Sequence, residues 1–513
     1  MTPGHRSISW WERRNIALLL CFAFALPLVW PTIPPLTDVP GHLARYHIAL
    51  DRPAALMRAY AFQWRLIGNL GVDVAVVPLA PLLGVEGAGK LVILLIPVLG
   101  AGGMLALAKA AHGRVPPTAL FALPLVLGWP FQFGFVNFCL GMALAFWLAA
   151  GWIALEARPR ARIVLALAGS WVVWTCHVFA WGLLGLIVFG AELALQRRRG
   201  TPWVWVGPRA ALHALAFASP VLGSLLSGTA RGESQGGFAF VSKARLFESA
   251  LRDHWRVFDQ ASVLLLVGVL VFAASHRRLR FSAVLGVPAL LVFAFLMGMP
   301  GVMFGASYAD TRVAPYVLAL ALLAIRPSAD RALAGGLALA GAAFVAVRVG
   351  AATVSLLQAS AAFERELAVL PAIPRGASVF ALVRHGCAPD WDDRRLDHLP
   401  SMAILRRDAF TNDQWAIAGQ QLLTIRPPSA APLDRDPSQL VGGGLCEPAS
   451  LVLAPAIAAF PRWRYEYVWT IGFPRAAVRD PALVPVWDSE QSALYRIDKP
   501  LVTPLERVRS ERR

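Results

Sequence analysis

The chain has 513 residues, of which 57% are hydrophobic and 15% charged, and its mean hydropathy is +0.56. That much apolar surface excludes a single soluble globular protein and defines a polytopic membrane protein. The 48 Lys and Arg against 31 Asp and Glu leave a net charge of +17, which basic cytoplasmic loops account for without nucleic acid as a partner.

Crossing a hydrocarbon core takes roughly 18 to 20 apolar residues. In chain order, spans are expected near residues 16–32, 90–110, 117–132, 135–155, 162–177, 178–195, 210–227, 261–275, 281–297, 312–326 and 331–352, about eleven in all. The basic groups between them (Arg6, Arg13 and Arg14, then Lys109 to Arg114, Arg158 to Arg162, Arg197 to Arg209, Arg277 to Arg280 and Arg326 to Arg331) mark the cytoplasmic loops and put the N-terminus inside. An odd number of spans leaves the C-terminus outside. The apolar segment NLGVDVAVVPLAPLLG, residues 69 to 84, is not counted, because a crossing there inverts every later basic loop. It reads as a helix lying at the outer interface, and the first outer loop then runs over residues 33–89. The first span ends in LPLVWPTIPP, which lacks a small-x-small cleavage site, so it reads as an anchor rather than a signal peptide.

Charged residues and prolines become frequent after about residue 360. Residues 1–360 are therefore expected to form the transmembrane domain and 361–513 a small soluble C-terminal α/β domain. PRGASVFALV, YEYVWTIGF, ALVPVW and SALYRI have the composition of short strands. Cys21, Cys139 and Cys176 lie in spans and read as packing residues. Cys387 and Cys446 lie in the outer domain and are expected to form a disulfide in an oxidising compartment. The stretch HGCAPDWDDRRLDH gathers His385, Asp390, Asp392, Asp393, Asp397 and His398, and reads as a solvated loop of alternating charge before it reads as a cation site. No P-loop, GxSxG, HExxH or CxxC pattern occurs.

The chemistry-bearing candidates are polar residues at the outer ends of spans, where ionisable groups need a partner or a task. Asp38, between Pro35 and Pro40 in PPLTDVPGHLARYHIAL, fits a general base or a helix cap. His42 and Arg45 follow on the helix that starts near Pro40. Later, MPGVMFGASYADTRVAPYVLALALL carries Tyr308, Asp310 and Arg312 at the lip of a span, where a guanidinium either holds a phosphate or anchors at the interface. His177 in WTCHVFAWG and Asn137 in GWPFQFGFVNF sit at two further outer turns.

A first span, a long outer loop with an acidic residue near its start, the segment NLGVDVAVVPLAPLLGVEGAGK and a second span ending in ALAKAAHGR together resemble the C-type (GT-C) membrane glycosyltransferases, as a divergent bacterial member. The resemblance covers roughly residues 10 to 355 as a pattern of loops and spans. It implies a GT-C-like membrane domain with a periplasmic C-terminal domain in the bacterial inner membrane. It also implies an inverting transfer, hexosyl or pentosyl, from a polyprenyl-phosphate-linked sugar to a hydroxyl of a glycan, lipid or protein acceptor. On it Asp38 takes the base position, His42 orients the hydroxyl, and Arg312 with Arg45 meets the donor phosphate. Asp310, Tyr308, His177 and Asn137 line the pocket. The sequence departs from the family in having TDVPGH instead of an aspartate-glutamate pair, so no metal or other cofactor is assigned. The alternative from the same features is a non-catalytic protein that binds or transports a lipid-linked glycan.

Overall fold

The computed structural model describes residues 8–227, 234, 240–303, 306–385, 391, 394–417, 420–426, 440–442 and 451–498. Cys387 and Cys446, with Asp390, Asp392 and Asp393, lie outside the described residues.

The apolar runs fold as helices because a backbone in hydrocarbon has to satisfy its polar groups internally. Five of those described are long and apolar enough to cross a membrane: Ala80–His112, Val136–Ala154, Val178–Arg198, Arg256–Ser275 and one beginning at Arg331. A bent pair, Trp203–Phe217 with Val221–Ser227 at 54°, is a further candidate. Shorter apolar helices over Arg14–Ala23, Ala119–Gln132, Ala283–Gly298 and Ala314–Leu323, together with the helix Pro159–Cys176, occupy the remaining expected positions. The Ala119–Gln132 stretch is broken into pieces by Pro124, Gly128 and Pro130 and is buried throughout. It lines the inside of the bundle.

The segment 69–84 differs from the expected interfacial helix. Gly71–Val76 is one short helix, and the next helix begins at Ala80, broken at Gly84 by a φ of 68°. The first break falls at Pro78, and Asp73 on the short helix is held inside the protein, its carboxylate 3% exposed and accepting from both Arg45 Nε and Nη2 at 3.0 Å.

The helix Arg331–Leu367 has 37 residues, roughly 55 Å at 1.5 Å per residue, against about 30 Å of hydrocarbon. It carries the chain past the bundle into the C-terminal domain. The strands are β1 (Tyr60–Phe62), β2 (Ser378–His385), β3 (Phe410–Thr411), β4 (Leu423–Ile425), β5 (Leu440–Gly442), β6 (Leu451–Val452), β7 (Tyr467–Ile471), β8 (Leu483–Asp488) and β9 (Ser492–Ile497). The sheet runs β6-β5-β2-β7-β9-β8, with β3 also on β2. Its β2 centre is parallel to β3, β5 and β7, and β9 joins antiparallel to β7 and β8. Strand β2 reads SVFALVRH and is buried along its middle, the continuous apolar run of a strand covered on both faces.

Two features seat this domain on the bundle. Strand β1, from the first loop, pairs antiparallel with β4, Tyr60 opposite Ile425. The helix Ser401–Arg407 packs on the helix Val39–Leu50, which is buried from Val39 to Ala49.

Candidate active site at the seam of bundle and sheet domain

The position of Asp38 follows from the backbone before and beside it. Its N–H donates to the Phe133 carbonyl at 3.0 Å, tying the end of the first span to the turn 128–135. Gly134 faces it at a φ of 93°, and a Cβ there would stand 2.7 Å from the Asp38 nitrogen. A side chain at 134 would displace the aspartate. Asp38 occupies the N-cap of Val39–Leu50 but makes no side-chain cap hydrogen bond. Its carboxylate instead lines a cavity of about 560 Å³, which removes capping as the reason for an acid at this place.

One turn on, His42 lines the same cavity, 7% exposed, its ring near Trp415 at 5.5 Å between centroids. Trp415 fits there because residue 41 is a glycine: a Cβ would meet the indole at 2.3 Å. Burial, then the charges of Arg45 and His398, push the His42 pKa well below 6.5, so the ring is neutral at neutral pH. Its Nδ1 has no hydrogen-bond partner among the described residues.

The sheet domain contributes the other side. His398 Nδ1 lies 3.0 Å from Asp413 Oδ1, and its Nε2 is 3.9 Å from Asp38 Oδ1. A carboxylate only accepts, so Nδ1 carries a proton towards Asp413 and Nε2 is turned to Asp38. Asp413 is 1% exposed and also accepts from the Ser401 N–H at 2.6 Å. Burial raises its pKa, and the His398 hydrogen bond works against that rise. Trp415 closes the group, its ring 4.3 Å from that of His398. Asp397 and Arg394 line the cavity beside them.

The wall opposite carries Arg312 and His177. Arg312 is 9% exposed, donates through Nη2 to the Ser307 carbonyl at 3.2 Å, and has Nη1 3.2 Å from His177 Nε2. Its guanidinium carbon lies 3.8 Å from the Phe135 ring centre. The buried Arg312 Nε–H lacks an acceptor among the described residues. Tyr308 lines the cavity at a φ of 57°, an uncommon conformation for an aromatic residue, with its ring against Trp129 and Phe133. Asp310 lines it too, but its carboxylate is held by Lys243. Asn137 builds the wall, accepting from the Val72 N–H at 2.7 Å and donating to Asp73 at 3.1 Å.

The structure thus gathers Asp38, His42, Asn137, His177, Tyr308, Asp310 and Arg312 around one cavity. Arg45 is the exception. Its guanidinium is taken by Asp73 and by Gln421 Oε1 at 2.6 Å, 2% exposed. The expectation that it meets a donor phosphate is therefore corrected: it braces the wall.

The sequence did not single out Asp413 or Trp415, and His398 read first as part of a solvated loop and second as part of a cation site. His398 reaches the cavity beside Trp391 and Arg395, which are strapped to the bundle. Arg395 donates to Asp253 at 2.6 Å, to the Pro35 carbonyl at 2.7 Å and to Gln132 at 3.2 Å. Trp391 Nε1 donates to Asp259 at 2.8 Å, and Asp259 also accepts from Arg348 at 2.7 Å.

No protein-family model and no curated protein matches the sequence. Among solved structures, ArnT from Cupriavidus metallidurans bound to undecaprenyl phosphate matches with a TM-score of 0.50 and 13% identity, over 96% of this chain and 100% of that one. Arabinofuranosyltransferase AftD from Mycobacteria matches with a TM-score of 0.47 and 16% identity, over 96% of this chain and 40% of that one. The chain is a multi-pass membrane protein with the GT-C fold, helical bundle and appended sheet domain included.

Proposed function

We propose that the protein is a bacterial inner-membrane glycosyltransferase that moves a hexosyl or pentosyl group from a polyprenyl-phosphate-linked donor to an acceptor hydroxyl, with inversion, on the periplasmic side. Residues 361–513 are the periplasmic domain in this reading. The observation that carries it is one buried cavity lined by both Asp38 and Arg312, the latter with an unsatisfied buried N–H. The fold it shares with ArnT, which binds undecaprenyl phosphate, supports the donor class.

The Asp38 carboxylate takes the proton of the acceptor hydroxyl as that oxygen bonds to the anomeric carbon. The bond from that carbon to the phosphate oxygen breaks, and its electron pair leaves on the polyprenyl phosphate. Arg312 stabilises the charge that develops there. His42, neutral and buried, positions the hydroxyl, and His398, oriented by Asp413, faces Asp38 to receive its proton afterwards.

Native mass spectrometry with undecaprenyl phosphate tests the phosphate site, and turnover of a lipid-linked sugar in membranes tests the base. Asp38→Asn is expected to keep lipid binding and to lose transfer by about 10²- to 10⁴-fold, whereas Arg312→Gln loses binding by at least about tenfold. Unchanged glycan handling by Asp38→Asn defeats the enzymatic reading in favour of a binding or transport protein.

A further inference from the structure

The helices that begin beside the candidate active site end at a second cavity. Val178–Arg198 starts next to His177 and finishes at Arg198, and Ala314–Leu323 starts two residues after Arg312 and finishes three before Arg326. A 21-residue helix spans roughly 30 Å, so the cavity, of about 880 Å³, opens at the opposite end of the bundle. Its walls carry His112, Arg114, Arg198, Arg326 and Arg331, and no Asp or Glu among the described residues that line it. Arg114 is bound by Glu12 and Arg198 by Glu156. Arg326 and Arg331, both exposed, have no acidic partner among the described residues.

We propose that this cavity binds the phosphate-bearing headgroup of an anionic membrane lipid. Basic loops spread along a membrane surface point their charges outwards into water. Here arginines from three chain segments converge on one concavity between helix ends, the arrangement that holds acidic headgroups, and guanidinium matches phosphate oxygens in pairs. Ser282 and Ser328, 4% and 7% exposed, add hydroxyls to the wall. The surroundings fit a lipid better than a free anion. Trp10, 37% exposed at the rim, has the amphipathic ring found at headgroup level. The adjoining helix Arg14–Ala23 leaves Leu18, Leu19 and Phe22 uncovered, an apolar track for acyl chains.

Native mass spectrometry of the full-length protein, titrated separately with phosphatidylglycerol, phosphatidylcholine and inorganic phosphate, decides the matter. The two lipids separate headgroup charge from acyl-chain contact, and the phosphate arm separates a lipid from a free anion. Wild type is expected to bind phosphatidylglycerol at least about tenfold tighter than phosphatidylcholine, an advantage that added salt reduces. The double variant Arg326→Ala/Arg331→Ala should lose that advantage. The control Arg158→Ala/Arg160→Ala, which removes the same charge from exposed positions outside the cavity, should retain it. Equal binding of the two lipids, equal losses in both double variants, or displacement of phosphatidylglycerol by equimolar inorganic phosphate overturns the proposal. Because all four arginines are exposed, folding of each variant is checked by an unchanged melting temperature.

Discussion

His42 shows what burial does to a single titratable side chain at the seam. In the unfolded chain its imidazole protonates near pH 6.5, and in the folded protein burial holds the pKa well below that. Below about pH 6.5 the unfolded state therefore binds a proton that the folded state refuses. The stabilisation is complete above that pH and shrinks as the pH falls towards the folded value. The melting temperature is expected to drop between about pH 7 and about pH 5, and His42→Gln, which gains no proton, flattens that part of the curve. An unchanged slope in the variant assigns the acid sensitivity to other groups. At this scale Asp38 was legible in the sequence, since an acid between two prolines just past an apolar run has to be explained. Arg45 misled, because a guanidinium three residues after His42 looks the same in sequence whether it meets a ligand or an Asp73 that only the folded chain brings near.

Between elements, the helix Val39–Leu50 and the Asp38 before it have two glycine contacts with different constraints, Gly134 of the turn 128–135 against Asp38 and Gly41 against Trp415. Gly134→Ala adds a Cβ 2.7 Å from the Asp38 nitrogen at a φ of 93°. It is expected to cost about 1–3 kcal/mol in backbone strain and to lower turnover by shifting Asp38. Gly41→Ala carries no positive φ but presses on the Trp415 ring, so its effect should fall on the stacking of His398 and Trp415 and be read as quenched or shifted tryptophan fluorescence. Equal effects of the two variants on turnover and fluorescence would contradict this division. The periodicity and length of apolar runs revealed where helices lie, because hydrocarbon thickness dictates both. They did not place the breaks: one falls at Gly84, where φ is 68°, and those within Ala119–Gln132 fall at Pro124, Gly128 and Pro130 inside an apolar run of spanning length.

For the molecule as a whole, the straps between bundle and sheet domain differ in burial, and so in strength. Arg395 and Asp253 are 9% and 2% exposed, whereas Arg406 and Glu86 are about one third exposed. Removing one partner of a buried pair costs about 3–5 kcal/mol, and an exposed pair contributes about 0–1 kcal/mol. Arg395→Ala should lower the melting temperature and release Trp391–His398 to protease, while Arg406→Ala leaves both nearly unchanged. Comparable effects would show that the strap does not depend on burial. This union was not legible in the sequence. HGCAPDWDDRRLDH is hydrophilic by composition, and nothing local distinguishes an arginine in water from one that donates to Pro35, 360 residues earlier.

The pairing of β1 with β4 has a consequence for the order in which the protein is made. Residues 60–62 leave the ribosome long before 423–425, and contacts so distant along the chain form slowly. The bundle helices insert while the first loop still lacks its partner strand, so Asp38 stays unscreened by His398 and Trp415 until nearly the whole polypeptide has been synthesised. A chain that stops short of residue 423 presents a finished membrane anchor with an open, half-built cavity, and the bare edge of β1 is then a handle for quality-control proteases.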